Sequence, residues 1–430
     1  MKILIASDVY GNQICGVTNS IEALRDELIR LGHDVRMLVL SPNRKSFVNK
    51  NEYYIGSLPM PVYPSARISL KKHDKLIKEI INWKPDIVHI QTEFSSRILA
   101  NRIIRKLNIP FVITCHGMYE EYIKYIHIPR TIGRPIIKRL SNKYYNPSSA
   151  VIVPSNKMKE KLMEYKIKCP IEVIPTGINL SNYQKKLSQE EKNKILSSLH
   201  LKNNDKYIVT VSRLGAEKNI DELIEYLPEL IEKDKEIKFI IVGDGPYKNE
   251  LKEKAKKLSV TDNVIFTGMI KPTEVYKYYQ LGNIFVSAST SETQGLIFVE
   301  ALACGMPMVC RKDKCLEEVI ENGVNGFIFE NKDEFIEQIL SIINNKDLAE
   351  KMGQISYKKS NNFSKEEFGI RMEKLYKKIL EGNKYEWSNK KEKNHIFFNS
   401  SLWTPNAWVS YYKRIGKFRV WSRMVLLCKI

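Results

Sequence analysis

The run Ser287-Ala-Ser-Thr-Ser-Glu-Thr-Gln-Gly-Leu-Ile-Phe-Val-Glu-Ala-Leu-Ala-Cys-Gly-Met-Pro carries two carboxylates, Glu292 and Glu300, eight positions apart. It reads as a strand end, a loop and a short helix that opens near Gly295 and is stopped by Gly305 and Pro307. The first amides of such a helix, at Gly295 and Leu296, have no intrahelical acceptor and suit a phosphate. A carboxylate can accept two hydroxyl hydrogen bonds, so two in one site can hold a sugar and a ribose. The bland alternative is a pair of solvated glutamates, and the loop-helix setting speaks against it. His116 follows an apolar run directly, in Thr114-Cys-His-Gly-Met-Tyr-Glu-Glu-Tyr. A lone strand-end histidine is more often structural than catalytic, so its position alone decides nothing.

The elements that would place these residues alternate short apolar runs with amphipathic segments, the pattern of β-α-β units on a parallel sheet. Strand candidates in the first half are Lys2–Ala6, Asp34–Leu40, Asp86–Ile90, Pro110–Cys115, Ala150–Pro154 and Ile171–Ile174. A helix is expected from Thr18 to Leu31, with Thr18 as N-cap and Gly32 as the terminating glycine. The pattern lapses into a turn-rich, then Lys-rich stretch from Pro175 to Leu201, which marks a domain boundary. It restarts with Tyr207–Ser212, Lys238–Val242, Asn263–Thr267, Asn283–Ser287, Pro307–Cys310 and Gly326–Phe329. The expected architecture is α/β, with two doubly wound Rossmann-like domains, residues 1–180 and 205–363, facing each other across a cleft. Such domains bind ligands at the C-terminal ends of their strands. Residues 364–430 read as a basic helical tail returning to the first domain, rich in aromatics at its end.

The bulk numbers exclude several classes. At 430 residues and 43% apolar the chain can build two cores and is not disordered. No apolar run reaches 18 residues, so no transmembrane helix is expected. Asp8 interrupts the apolar start, so Met1–Ala6 reads as a buried strand rather than a signal peptide. The seven scattered cysteines fit a reducing cytosol. The net charge of +20 suits nucleic acid, an anionic membrane or an anionic cosubstrate, and coding bias toward Lys, Asn and Ile is a fourth source. No Asp-x-Asp occurs, no Gly-x-Gly-x-x-Gly follows the first strand, and no Cys/His cluster has zinc spacing. A metal-clamped diphosphate and a dinucleotide oxidoreductase both lack support.

Through Glu292, Gly295, Leu296, Glu300, Ala301, Gly305 and Pro307 the segment resembles the Glu-(x)7-Glu signature of glycosyltransferase family 4. The resemblance implies the GT-B fold and a retaining transferase that moves a sugar from a nucleotide-diphosphate donor. It implies that Glu300 binds the ribose and Glu292 the transferred sugar. Val211-Ser-Arg-Leu-Gly-Ala-Glu-Lys is similar to the family's diphosphate clamp, which makes Arg213 and Lys218 phosphate ligands. Fixed cations there would stabilise the charge that the leaving diphosphate gains. Gly16-Val17 resembles the family's glycine loop, where the backbone approaches a phosphate at a helix start. Asn12 and Cys15 depart from the usual pattern beside it. Gly243-Asp-Gly-Pro resembles another loop near the nucleotide, and His116 would line the sugar site near the anomeric carbon. No cofactor is expected, and transfer should be metal-independent.

Ser291-Glu-Thr-Gln-Gly-Leu, with its Thr293-Gln294 pair, and the string from His116 through Tyr119 to Tyr122 look like the bacterial branch that glucosylates diacylglycerol. Gly117 departs from that branch's usual threonine. The resemblance implies UDP-glucose as donor, a lipid acceptor, and a cytoplasmic enzyme peripherally bound to the inner face of the cell membrane. Independently, Leu70, Leu76, Ile77, Ile80 and Ile81 stand at near-helical spacing beside Lys71, Lys72, Lys75 and Lys78, so that a helix here could lie in an anionic membrane interface. The bland reading is a packed helix with a solvated lysine face. Arg130, Arg134, Lys138, Arg139 and Lys143 form a second basic segment. A soluble or polysaccharide acceptor is the same-class rival. A nucleic-acid-binding module would explain the charge but not the ordered motifs, so no nucleic-acid partner is expected.

Overall fold

The structure, a computed structural model, describes residues 1–11, 16–59, 67–69, 71, 73–117, 130–203 and 205–382. The chain divides into two compact units. Of the described residues, the first contains those of Met1–Pro154, Met158–Ile174 and Gly369–Gly382; the second contains those of Ser155–Lys157 and Pro175–Phe368.

The first unit is built on an eight-stranded sheet. In chain order its strands are β1 (Lys2–Ser7), β2 (Asp34–Leu40), β3 (Phe47–Asn49), β4 (Glu52–Ile55), then, after a short antiparallel pair β5 (Leu58–Pro59) and β6 (Arg67–Ile68), β7 (Ile87–Ile90), β8 (Phe111–Thr114), β9 (Ala150–Val153) and β10 (Ile171–Val173). Their spatial order is β10-β9-β8-β7-β1-β2-β4-β3, parallel throughout except for β3 against β4. Ile3, Leu4, Ile5 and Ala6 are all fully buried, as a strand covered on both faces must be; hence the unbroken apolar runs. Helix α1 (Gly16–Arg30) buries Ile21, Leu24 and Leu28 at helical spacing. Thr18 does not cap it. It lies inside the helix as described, buried, while Gly32 at φ 83° ends it as expected.

Helix α2 (Lys75–Trp83) corrects the membrane-helix expectation. Asp74 caps it by accepting from the Leu76 amide. Its apolar stripe, Leu76, Ile77, Ile80 and Trp83, is buried in the core with Leu4 and Val88. Withdrawing that stripe would open a cavity, and deleting one such side chain from a core costs about 2–5 kcal/mol. The stripe is therefore not available to a bilayer, and the packed-helix reading holds. Lys71, Lys75 and Lys78 are exposed, and Lys71 Nζ donates to the Arg44 carbonyl at 2.6 Å; Lys72 lies outside the described residues. Helices α3 (Ser95–Leu107), α4 (Arg130–Tyr145) and α5 (Asn156–Glu164) complete the β-α alternation.

The second unit starts with helix α6 (Gln189–Ser198). Its six-stranded sheet has β11 (Lys206–Val211), β12 (Ile237–Val242), β13 (Val264–Gly268), β14 (Ile284–Ser287), β15 (Met308–Arg311) and β16 (Gly326–Phe329), in the order β13-β12-β11-β14-β15-β16. Helix α7 (Ile220–Lys233) buries Ile220, Leu223, Ile224, Leu227 and Leu230, the three-four spacing of a helix lying on a sheet. Helices α8 (Lys248–Lys257), α9 (Val275–Leu281), α10 (Leu296–Ala303), α11 (Lys332–Ile343) and α12 (Lys346–Ser360) follow. The last described helix, α13 (Lys365–Gly382), leaves the second unit at Phe368. Beyond that point Met372 and Tyr376 are fully buried, and His33 Nε2 meets Glu373 at 2.9 Å. The aromatic-basic segment after residue 382 lies outside the described residues. No helix among the described residues is long and apolar enough to cross a membrane.

Candidate functional site

In a doubly wound sheet the ligand-binding end is where the strand order reverses. In the second unit that point lies between the neighbours β11 and β14. Lys218, in the loop after β11, places its Nζ 2.5 Å from Glu292 Oε1, in the loop after β14. The same oxygen accepts from Ser289 Oγ at 3.1 Å. Both charged side chains are largely buried, 18% and 14% exposed, so each offsets a charge that would be costly to leave alone. Arg213, earlier in the same loop, pairs instead with Glu217 at 2.5 Å and is more exposed. Beside it, within the same Val211-to-Lys218 string, the Ser212 hydroxyl is buried without a partner.

Gly243 ends β12 at φ 134°, where a Cβ would stand 1.9 Å from the Ser212 carbonyl oxygen. Only glycine fits there, so the β11 and β12 loops approach at backbone distance. Gly295 enters α10 in the left-handed conformation, φ 73°, and a Cβ would strike the Phe298 ring. The amides of Leu296 and Ile297, the first two of α10, have no carbonyl one turn back within the helix, while that of Phe298 donates to the Gly295 carbonyl at 3.0 Å.

Glu300, one turn into α10, accepts from Tyr183 Oη at Oε1 and from Tyr279 Oη at Oε2, each at 2.9 Å. The residue as a whole is half-buried, but its carboxyl is enclosed. Burial pushes that carboxyl up to about 7, and the two phenol hydrogen bonds pull against the rise. Sequence reasoning misses these tyrosines because their chain separations from Glu300 are 117 and 21 positions. The available signal is Tyr279, on the buried face of a helix, whose hydroxyl needs a partner; Tyr183, just after a 3-10 turn, carries no such signal.

The resemblance to the diacylglycerol-glucosylating branch makes Thr293 and Gln294 donor ligands. Gln294 is 5% exposed, and its amide is engaged by the backbone of Thr176, at 2.8 Å to Oε1 and 2.9 Å from Nε2.

In the first unit the strand order reverses between β1 and β7. Gly16 and Val17 open α1 after β1, with Gly16 exposed. His116, after β8, bonds through Nε2 to Gln91 Oε1 at 2.7 Å. A carbonyl oxygen only accepts, so Nε2 carries the proton. Gln91 follows β7, and its Nε2 reaches His89, whose ring nitrogens meet Tyr376 Oη at 2.6 Å and Thr114 Oγ1 at 2.7 Å. Part of the His116 residue is accessible, yet its ring is enclosed, and burial pushes the imidazole down to about 4. It is therefore neutral near pH 7. Tyr119 lies outside the described residues. Among the described residues no three His, Cys, Asp or Glu side chains cluster as a metal site would require.

Residues 14–182 match the family described as Glycosyltransferase Family 4, and residues 191–359 that described as Glycosyl transferases group 1. The chain is 32% identical to an alpha-monoglucosyldiacylglycerol synthase of Streptococcus pneumoniae, over 95% of this chain and 93% of that one. It is 30% identical to an alpha-monoglucosyldiacylglycerol synthase of Acholeplasma laidlawii, over 89% and 98%. Among solved structures, a glycosyltransferase from Rickettsia africae superposes with a TM-score of 0.69 at 22% identity, over 89% of this chain and 99% of that one. Anabaena HepE in complex with UDP superposes with a TM-score of 0.67 at 19% identity, over 88% and 100%.

Proposed function

The chain belongs to the family 4 and group 1 glycosyltransferases, of GT-B fold, and on that premise we propose that it transfers glucose from UDP-glucose to diacylglycerol, giving an alpha-glycosyl diacylglycerol with retention at the anomeric carbon. The observation that carries the chemistry is the Lys218–Glu292 pair at the point where the strand order reverses. It puts a cation suited to a diphosphate and a carboxylate suited to sugar hydroxyls within one hydrogen bond of each other. Glu300 then takes the ribose hydroxyls, and Arg213 joins Lys218 on the diphosphate. As the bond between the anomeric carbon and the diphosphate oxygen breaks, the acceptor oxygen bonds to that carbon from the same face. Its proton passes to a diphosphate oxygen. Arg213, Lys218 and the first amides of α10 stabilise the charge that develops, without a metal ion. Within the first unit, neutral His116 is suited to a sugar hydroxyl and the Gly16-Val17 start of α1 to a phosphate.

The acceptor reading rests on the two relatives named as alpha-monoglucosyldiacylglycerol synthases, and it requires the enzyme to work on the inner face of the membrane. The first unit has a suitable surface in α4. That helix contains Arg130, Arg134, Lys138, Arg139 and Lys143 and no acidic residue. Ile136 and Leu140 on it are 50% and 42% exposed beside exposed Arg139 and Lys143. Apolar side chains among cations are what an anionic interface takes up. The test is a donor screen with purified enzyme, with and without diacylglycerol in anionic vesicles. UDP-glucose turnover that requires diacylglycerol is the expected result. Turnover on a soluble sugar with none on diacylglycerol would refute the acceptor and leave the transferase standing.

A further inference from the structure

The loop that carries Glu292 is gripped by both of the short stretches through which the chain enters the second unit. The chain enters first at Ser155–Lys157 and again at Pro175. From the first stretch, Ser155 Oγ donates to the Thr293 carbonyl. Lys157 Nζ donates to the Thr290 carbonyl at 2.8 Å and pairs with Asp313 at 2.6 Å. From the second stretch, the Thr176 amide donates to Gln294 Oε1 at 2.8 Å and the Thr176 carbonyl accepts from Gln294 Nε2 at 2.9 Å. The Gln294 side chain thus does what a neighbouring strand would do, satisfying both backbone groups of one buried residue. Glutamate there could accept from the amide but would repel the carbonyl, and methionine would fill the space with neither bond.

Gln294 stands two positions after Glu292 and directly before the left-handed Gly295, so its placement sets where the Glu292 carboxylate stands. We propose that Gln294 is a positioning residue for sugar transfer, which, with Ser155, fixes the Glu292 loop to the two entry stretches. The proposal rests on the reading of Glu292 as the residue that holds the transferred sugar. It takes Gln294 off the set of donor ligands, because its amide is already engaged within the protein. Ser155 lies outside every motif recognised in the sequence, so a direct-ligand role for Gln294 would leave Ser155 without effect.

The experiment compares Gln294→Met, Gln294→Glu and Ser155→Ala in the full chain, measuring kcat and KM with UDP-glucose and vesicle-borne diacylglycerol, UDP binding by calorimetry, and melting temperature. A carboxylate displaced by about 1 Å can cost on the order of 100-fold in rate. Both Gln294 variants should therefore lose roughly ten- to 100-fold in kcat. Ser155→Ala should lose less in the same direction, and all three should bind UDP as the wild type does. A raised KM for UDP-glucose with kcat intact, and no effect of Ser155→Ala, would make Gln294 a ligand and overturn the proposal. Parallel losses of UDP affinity and melting temperature would make Gln294 a merely structural residue and overturn the proposal equally. Glu292→Ala separates the two levels. If it turns over normally, the underlying reading fails and the proposal with it; if it is inactive while Gln294→Met is unimpaired, only the proposal fails.

Discussion

Lys218 and Glu292 follow two different strands, β11 and β14, and meet at 2.5 Å because those strands are neighbours where the sheet order reverses. Their pairing makes their contributions interdependent. Removing one charge-stabilising contact in a dry site costs about 3 kcal/mol, on the order of 100-fold in rate. Glu292→Ala and Lys218→Ala should each lose about that in kcat, and the double variant should lose clearly less than the product, as contacting residues do. Arg213→Ala should lose a similar factor independently of Glu292, since Arg213 pairs with Glu217. Multiplicative losses for Lys218 and Glu292 would show that the pair does not act as a unit.

Glu300 gives a pH prediction. Its carboxyl rises from 4.5 to about 7, chiefly through burial, and it needs its charge to accept two ribose hydroxyls well. KM for the donor should increase as pH falls through about 7. Tyr183→Phe removes a hydrogen bond that favours the charged form, so the increase should begin at higher pH. The linked stability has the opposite sense. Folding takes up a proton between pH 4.5 and 7, so that contribution is full below 4.5 and is lost as pH rises through 7. A donor KM that stays flat from pH 6 to 8 in wild type and Tyr183→Phe alike would refute this assignment.

The strands are readable in the sequence because both sheets are covered on two faces, so each central strand is an unbroken apolar run. Asp34–Leu40 and Gly326–Phe329 appear with the ends expected of them. The β3–β4 hairpin is not legible in the same way. Its strands are three and four residues long, and its turn is Lys50-Asn51, with Lys50 at φ 52° in place of a glycine. The apolar stripe of α2 lies where its spacing puts it, but an amphipathic pattern alone does not say whether a core or a lipid covers it. At the site, the motif residues are visible as local strings. Their partners Tyr183, Tyr279 and Gln91 are not, since they arrive through long-range packing.

His116 supplies a second pH prediction. Burial holds its imidazole near 4 and Gln91 Oε1 accepts its Nε2 proton, so wild-type kcat should show no limb from this group between pH 5 and 8. Gln91→Glu puts a carboxylate beside that nitrogen and raises the imidazole toward neutrality. A new limb should then appear in the pH profile within that range. Stability follows the buried neutral form: in the wild type it should fall as pH drops from about 6.5 toward 4, where only the unfolded chain takes up the proton. An unchanged profile in Gln91→Glu would mean that the amide does not set the charge of His116.

Metal independence is tested by adding EDTA to the transfer assay and resolving the product's anomers. Arg213, Lys218 and helix amides neutralising the diphosphate predict full activity and an alpha product. Activity lost with EDTA and restored by Mn²⁺, or a beta product, would refute the proposed charge balance.

The membrane prediction separates two surfaces. Helix α2 offers Lys75 and Lys78 alone, because its apolar stripe is committed to the core. Helix α4 offers Ile136 and Leu140 together with Arg139 and Lys143. Cations near an anionic leaflet contribute roughly 1 kcal/mol each, and salt screens them over roughly 10 Å at 0.1 M. Replacing Lys71, Lys72, Lys75 and Lys78 with Gln should therefore weaken vesicle binding in low salt and matter less as salt rises. Ile136→Ser with Leu140→Ser removes apolar insertion, which salt does not screen, so its effect should persist at high salt. Flotation with vesicles rich in anionic lipid, at a series of salt concentrations, reads both, and slow hydrolysis of UDP-glucose in solution should stay normal in each variant. If the α4 variant binds vesicles like the wild type at every salt concentration while the lysine variant does not, docking is purely electrostatic and runs through the α2 side of the unit. If neither variant differs from the wild type, neither helix is the docking face.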